Sequence, residues 1–160
     1  MEAYNEVFLR HAIQASIENV QRDLGGPFGA VIVRNGEVIA EAANAVTRSN
    51  DPTAHAEVGA IRAACEKLQT FELSGCVLYS SCEPCPMCLA AAYWARLDGI
   101  YFAATQQDAA SVGFDDAFLY RELTLNSSER ALSCVFVEAV RENARVAFEK
   151  WDENTAKTSY

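Results

Sequence analysis

Two short segments hold residues whose types and spacing can do chemistry: Thr53-Ala54-His55-Ala56-Glu57 and Ser81-Cys82-Glu83-Pro84-Cys85-Pro86-Met87-Cys88. Cys85 and Cys88 are three apart, so on the first turn of a helix both sulfurs can face one point. The partial positive charge of a helix N-terminus lowers a thiol pKa and favours the thiolate that metal binding requires. Alone, this Cys-x-x-Cys reads as a metal pair, a redox pair or half of a structural zinc site. His55 and Glu57 are two apart, and residues i and i+2 do not share a face inside a regular helix. Both can serve one centre if His55 sits in the first turn, where its Cβ leans ahead of the helix. Asp51-Pro52-Thr53 offers N-cap residues, with a proline that a first turn tolerates. A lone histidine at a helix start is more often a capping or solvated residue.

Combined, the two segments supply one histidine and two cysteines. Three protein ligands plus water is the catalytic arrangement of zinc, whereas a closed structural site needs a fourth protein ligand. Cys82 is the only nearby donor for that purpose and His11 the only other histidine. Zn²⁺ with two thiolates and a neutral imidazole is formally neutral, so Glu57 is left as an uncoordinated carboxylate able to take a proton from the water. Zinc is inferred from ligand type, and iron also fits such a donor set.

These residues need a scaffold, and the chain's periodicities supply one. Leu9, Ile13, Ile17, Val20 and Leu24 form one apolar face at helical period, stopped by Gly25-Gly26-Pro27. Two β-rich runs, 28–33 and 38–40, flank Asn35-Gly36 and predict a hairpin. A polar stretch, 44–53, leads into a second helix with Val58, Ile61, Cys65 and Leu68 on one face. Residues 76–79 read as a short buried strand, 85–96 as a helix, 99–103 as a strand, 106–120 as mixed structure, and 133–137 as a last strand. A final helix presents Val140, Ala144, Phe148 and Trp151, and residues 152–160 form a polar tail. With no repeat or linker, one domain over 1–160 is expected. Strands interleaved with helices predict an α/β fold, a three-layer αβα sandwich around a mixed five-stranded sheet.

Bulk composition narrows the partners. The chain has 160 residues with 51% hydrophobic side chains, enough for one packed core rather than a disordered chain. A formal charge of −9 with no basic run argues against nucleic acid, whose binding depends on neutralising phosphates. No stretch approaches the roughly 18 apolar residues of a membrane span, and residues 1–14 lack a signal-peptide pattern. A cytoplasmic location is the expectation, with the six cysteines mostly reduced. Cys65, Cys76 and Cys134 read as small buried hydrophobes, and Cys82 as a support for the metal loop.

H-x-E followed by P-C-x-x-C is the mark of zinc deaminases. On that motif the chain resembles the cytidine-deaminase-like superfamily, most closely its small bacterial guanine deaminases. Residues 25–33, 49–58 and 81–89 are similar across the superfamily. Gly113-Phe114-Asp115-Asp116 and the terminal Tyr160 look like guanine deaminases and guanosine-deaminating relatives. The resemblance implies one Zn²⁺ per subunit on His55, Cys85 and Cys88, with Glu57 and Asp116 catalytic. Phe28, Asn44, Ala56, Trp94, Asp116 and Tyr160 are then the substrate-binding set. It also implies a small purine base as substrate, with no nucleic-acid or membrane partner. A homodimer is expected, in which the tail, 152–160, can cross to the partner subunit.

By residue type alone, Phe28 and Trp94 read as core, Asn44 as a turn residue, Asp116 as a helix cap and the tail as a frayed end. Guanosine, cytosine and an adenosine within tRNA are rival substrates. A zinc-stabilised binding module is the non-enzymatic rival.

Overall fold

A computed structural model describes residues 2–159. Two compact units divide the chain, Met1–Ala117 and Phe118–Tyr160. The first contains, in order, α1 (Glu6–Gln21), β1 (Gly29–Arg34), β2 (Glu37–Ala43), α2 (Val46–Ser49), α3 (Ala56–Leu68), β3 (Cys76–Cys82), α4 (Pro86–Trp94), β4 (Gly99–Ala104) and α5 (Gln106–Ser111). Helix α6 (Ala117–Thr124) begins at the boundary, and the second unit ends with a 3₁₀ turn (Glu138–Val140) and α7 (Arg141–Glu153). Among the described residues no helix is long and apolar enough to cross a membrane.

The sheet order is β2-β1-β3-β4, with β1 antiparallel to both neighbours and β3 parallel to β4. Helix α4 makes the crossover that a parallel pair requires. Strand β3 is central and buried throughout, so it reads as a continuous apolar run rather than an alternating one. Its alternate residues still sort to two faces. Val77 and Tyr79 join Val31, Val33 and Ala12 under α1, whereas Cys76 and Leu78 join Ile32 and the α3 residues Ala56, Ala60, Ile61 and Ala64. Helix α4 adds Ala92 to the second cluster. Helices therefore cover both faces of a mixed sheet, as the sequence pattern implies.

The sheet has four strands among the described residues, which corrects the expected five. Residues 133–137 form no strand, and Val135, Phe136 and Val137 are exposed. β-branched and aromatic residues suit a pleated surface, but that preference makes no strand without a ladder partner. Cys134, expected in that strand as a buried hydrophobe, is exposed as well.

The arrangement of strands decides where a site can form. Antiparallel pairing sets Gly29 beside Ala43 and Ala30 beside Ser80, and the parallel pair sets Cys82 beside Ala104. The start of β1 and the ends of β2, β3 and β4 thus share one edge of the sheet. Helix α1 is pressed against the same edge. A Cβ on Gly29 would lie 2.3 Å from the Ala12 carbonyl oxygen and 2.7 Å from the Ser16 nitrogen. Both are backbone atoms, so only glycine fits without moving the helix. Gly29→Ala is expected to lower stability by about 1–3 kcal/mol, read as a drop in the urea midpoint at unchanged m-value; an unchanged midpoint would show that α1 yields easily.

Candidate metal and substrate site

At that strand edge, α3 and α4 both begin. His55 is the residue before α3, with φ −70° and ψ 154°, rather than a first-turn residue as its spacing to Glu57 suggested. An extended N-cap turns its ring back beyond the helix end while Glu57 sits one residue inside it. The conflict between i and i+2 faces is settled by breaking the helix at His55. Cys85 occupies the equivalent place before α4, with φ −64° and ψ 168°, and Pro86 opens that helix. Cys88, one turn on, is fully buried.

The two helix starts meet. His55 Nδ1 lies 3.6 Å from Cys85 Sγ and 3.5 Å from Cys88 Sγ, and the two sulfurs are 3.6 Å apart. Tetrahedral zinc, with Zn–S near 2.3 Å and Zn–N near 2.0–2.1 Å, requires ligand separations of about 3.8 Å for S–S and about 3.5 Å for S–N. The three side chains therefore already define one face of such a tetrahedron. They are the only such metal-ligating group among the described residues. Cys82 stands apart, its thiol donating to the Thr105 carbonyl at 3.6 Å and raised to about 11 by burial.

The electrostatics match a site built for a cation. The Cys85 thiol is held low by its contact with the Cys88 thiol and by His55, against burial, which acts to raise it. Cys88 is pushed up by the same contact and by burial. A Cys85 thiol held low beside the His55 ring is suited to bind a divalent cation as thiolate. His55 is raised by its hydrogen bond to Cys85, partly offset by burial.

Glu57 is 5% exposed, and burial raises its pKa despite hydrogen bonds that favour the charged form. Its Oε2 accepts from Cys88 Sγ at 3.4 Å and its Oε1 from Ser80 Oγ at 3.2 Å. A carboxylate biased toward protonation and fixed at both oxygens is suited to receive a proton and pass it on.

A cavity of about 530 Å³ opens over this cluster, lined wholly by residues of the first unit. Phe28, Asn44, His55, Glu57, Cys85 and Asp116 all face it. Ala56 is fully buried at the start of α3 and does not line this cavity. Trp94 is 67% exposed near the end of α4 and does not line this cavity. Tyr160 lies outside the described residues. Asp116 accepts from Gln106 Nε2 at 2.6 Å, and it is Asp115 that accepts the Ala117 N–H at the start of α6.

Several lining residues escaped the sequence reading. The Phe114 ring meets Phe28 edge to face, with centroids 5.0 Å apart and planes at 89°. Glu83 Oε2 accepts the Gln106 N–H at 3.0 Å, tying the loop after β3 to the start of α5. Glu83 lies inside the cysteine segment and Phe114 inside the Gly-Phe-Asp-Asp segment, so both were within marked stretches. Nothing in the spacing of Gln106 distinguished it.

Residues 3–104 match the family described as cytidine and deoxycytidylate deaminase zinc-binding region. The chain is 48% identical to guanine deaminase of Bacillus subtilis over 156 residues, covering 98% of this chain and 99% of that one. An X-ray structure of guanine deaminase from Bacillus subtilis superposes with a TM-score of 0.94 at 47% identity, covering 99% of each chain. A structure of guanine deaminase from Nitrosomonas europaea gives a TM-score of 0.67 at 31% identity, covering 73% of this chain and 68% of that one.

Metal analysis checks the ligand set. Protein produced with zinc is expected to carry about one ion per chain, and Cys85→Ala or Cys88→Ala to lose most of it while α1 and the sheet stay folded by circular dichroism. Full zinc content in both variants would place the metal elsewhere.

Proposed function

This chain belongs to the cytidine and deoxycytidylate deaminase family, and from that membership we infer that it hydrolyses guanine to xanthine and ammonia. It is an enzyme acting on a cyclic amidine C–N bond. The observation that carries the chemistry is the His55-Cys85-Cys88 triangle with the buried Glu57 carboxyl against it.

His55, Cys85 and Cys88 would hold the zinc ion, which would supply a water of lowered pKa as nucleophile at neutral pH. Glu57 accepts the proton released as water oxygen bonds to C2 of the base, and delivers it to the adjacent ring nitrogen. The proton of the new C2 hydroxyl then passes through the same carboxyl to the 2-amino group, leaving a C2 carbonyl as the C2–N bond breaks and ammonia departs. Ser80 keeps Glu57 oriented through this exchange, because its hydroxyl holds the oxygen not turned toward Cys88.

A free base has no phosphate or ribose to grip. Selection rests on enclosure and edge hydrogen bonds. Phe28 and Phe114 supply apolar cover and Asn44 and Asp116 the polar edges, with Ala56 buried next to His55. Asp116 is an acceptor for the amino edge of guanine and is assigned here to specificity and proton movement.

Trp94 and the tail, 152–160 with Tyr160, are assigned to the substrate site as it exists in a homodimer. The exposed Leu132, Val135, Phe136 and Phe148 support such an assembly, since a monomer rarely leaves that many large apolar groups in water. In this reading the chain acts as one catalytic domain in the cytoplasm, on a small purine and not on nucleic acid.

Two measurements test the proposal. Glu57→Gln is expected to cut ammonia release from guanine by about 10²–10⁴-fold or more while zinc content is kept, an outcome a purely structural zinc module would not give. In a panel of guanine, guanosine, cytosine and adenine, guanine is expected to be turned over fastest; cytosine turnover without guanine turnover would overturn the substrate.

A further inference from the structure

Asn19 has no place in the chemistry above, yet it is a buried polar side chain aimed at the rim of the cavity. It lies on α1 and is 3% exposed. Its Nδ2 donates to the Gly26 carbonyl at 2.8 Å and to the Asn44 carbonyl at 2.9 Å. Both acceptors are carbonyls, so the atom facing them must be the amide nitrogen.

The two residues it holds determine how Asn44 presents itself. Asn44 Oδ1 accepts from Gly26 N and from Val46 N, each at 3.3 Å. Backbone N–H groups only donate, so the oxygen must face them and Nδ2 must face the other way. The main chain of Asn44 is fixed too, its N–H donating to the Phe28 carbonyl at 2.9 Å. Gly25 is pressed so closely that a Cβ there would lie 2.3 Å from the Asn44 carbonyl oxygen. Among the described residues Nδ2 of Asn44 makes no hydrogen bond, and no buried side-chain nitrogen or oxygen lacks a partner. That Nδ2 is therefore accessible, in the cavity that Asn44 lines.

We propose that Asn19 is a positioning residue for substrate: by tying Gly26 and Asn44 together, it locks the Asn44 amide with its N–H toward the cavity, where it selects a ring acceptor on the purine. This rests on the deaminase reading and on Asn44 meeting the base. Without the clamp the loop of Gly25 and Gly26 can relax, the Gly26 N–H leaves Oδ1, and the Asn44 amide is free to rotate or flip. Asn19 lies on α1, whereas His55, Glu57, Cys85 and Cys88 lie at the starts of α3 and α4. Losing the clamp weakens binding of ground state and transition state alike, so it raises KM and leaves kcat in place.

The test is a double-mutant cycle with guanine as substrate and zinc-loaded protein. Asn19→Ala is expected to raise KM about tenfold, with kcat changed less than about twofold and zinc content unchanged. In an Asn44→Ala background the same substitution is expected to change KM by less than about twofold, because the group it positions is gone. Asn19→Ser keeps one donor at the site and is expected to fall between wild type and Asn19→Ala in KM; it carries the cycle if the alanine variant does not fold. Additive effects in the two backgrounds, or a fall in kcat and zinc content equal to the rise in KM, would make Asn19 merely structural and overturn the proposal. Failure of the unsubstituted protein to release ammonia from guanine would instead sink the deaminase reading on which the clamp rests.

Discussion

Three ligand atoms lie within 3.6 Å of one another where two helices start, and the rest of the site follows from holding them there. Two sulfurs and an imidazole at that distance are spaced as ligands of one tetrahedral ion. Both helix starts are anchored by the sheet. Cys85 stands three residues beyond the end of β3, the most buried strand, as the N-cap of α4, and Cys88 reaches back from the first turn of that helix. Helix α3 is packed so closely on β2 that a Cβ on Gly59 would touch the Ala42 side chain at 3.0 Å. The helix starts that follow His55 and Cys85 are thereby held against the sheet.

Much of this was legible in the residues. The ligand set and the free carboxylate could be read from type and spacing, since few other arrangements give His-x-Glu and Cys-x-x-Cys a common purpose. The hairpin, the strand core at 76–79 and the Val58–Ile61 face of α3 were equally plain, whereas β3 runs on through Cys82 and α1 buries Ala12, Ala15, Ser16 and Asn19 while Ile17 and Val20 stay exposed. The position of His55 was missed by one residue. Spacing shows that His55 and Glu57 cannot share a regular helical face; it does not say whether the helix bends or starts later.

The error at 133–137 has a different origin. Val135, Phe136 and Val137 favour a strand by type, but a strand is a relation between two segments and no local pattern names the second. The same limit hid Gln106 and Asn19. Each acts through a contact made across the fold, Gln106 to Asp116 and Asn19 to Asn44, and neither lies at a spacing that marks it. Residues that perform chemistry carry a type signature. Those that orient them carry only a geometry.

That division explains how a small cavity can discriminate among bases. An asparagine amide is ambiguous by nature, offering a donor on one side and an acceptor on the other. It discriminates only if something fixes which side faces the ligand, and here the Gly26 and Val46 N–H groups take the oxygen. Asp116 is treated in the complementary way. Gln106 donates to its Oδ1, which orients the carboxylate at the cavity that Asp116 lines. The cavity thereby faces its ligand with a fixed donor on one wall and a fixed acceptor on another. A purine that presents a ring acceptor and an exocyclic amine at those two walls can satisfy both. One with the polarity reversed would bury two unpaired groups, at a cost of about 1–3 kcal/mol each. In the proposed reaction, orientation of these side chains before the ligand arrives would supply specificity, and the His55-Cys85-Cys88 triangle the chemistry.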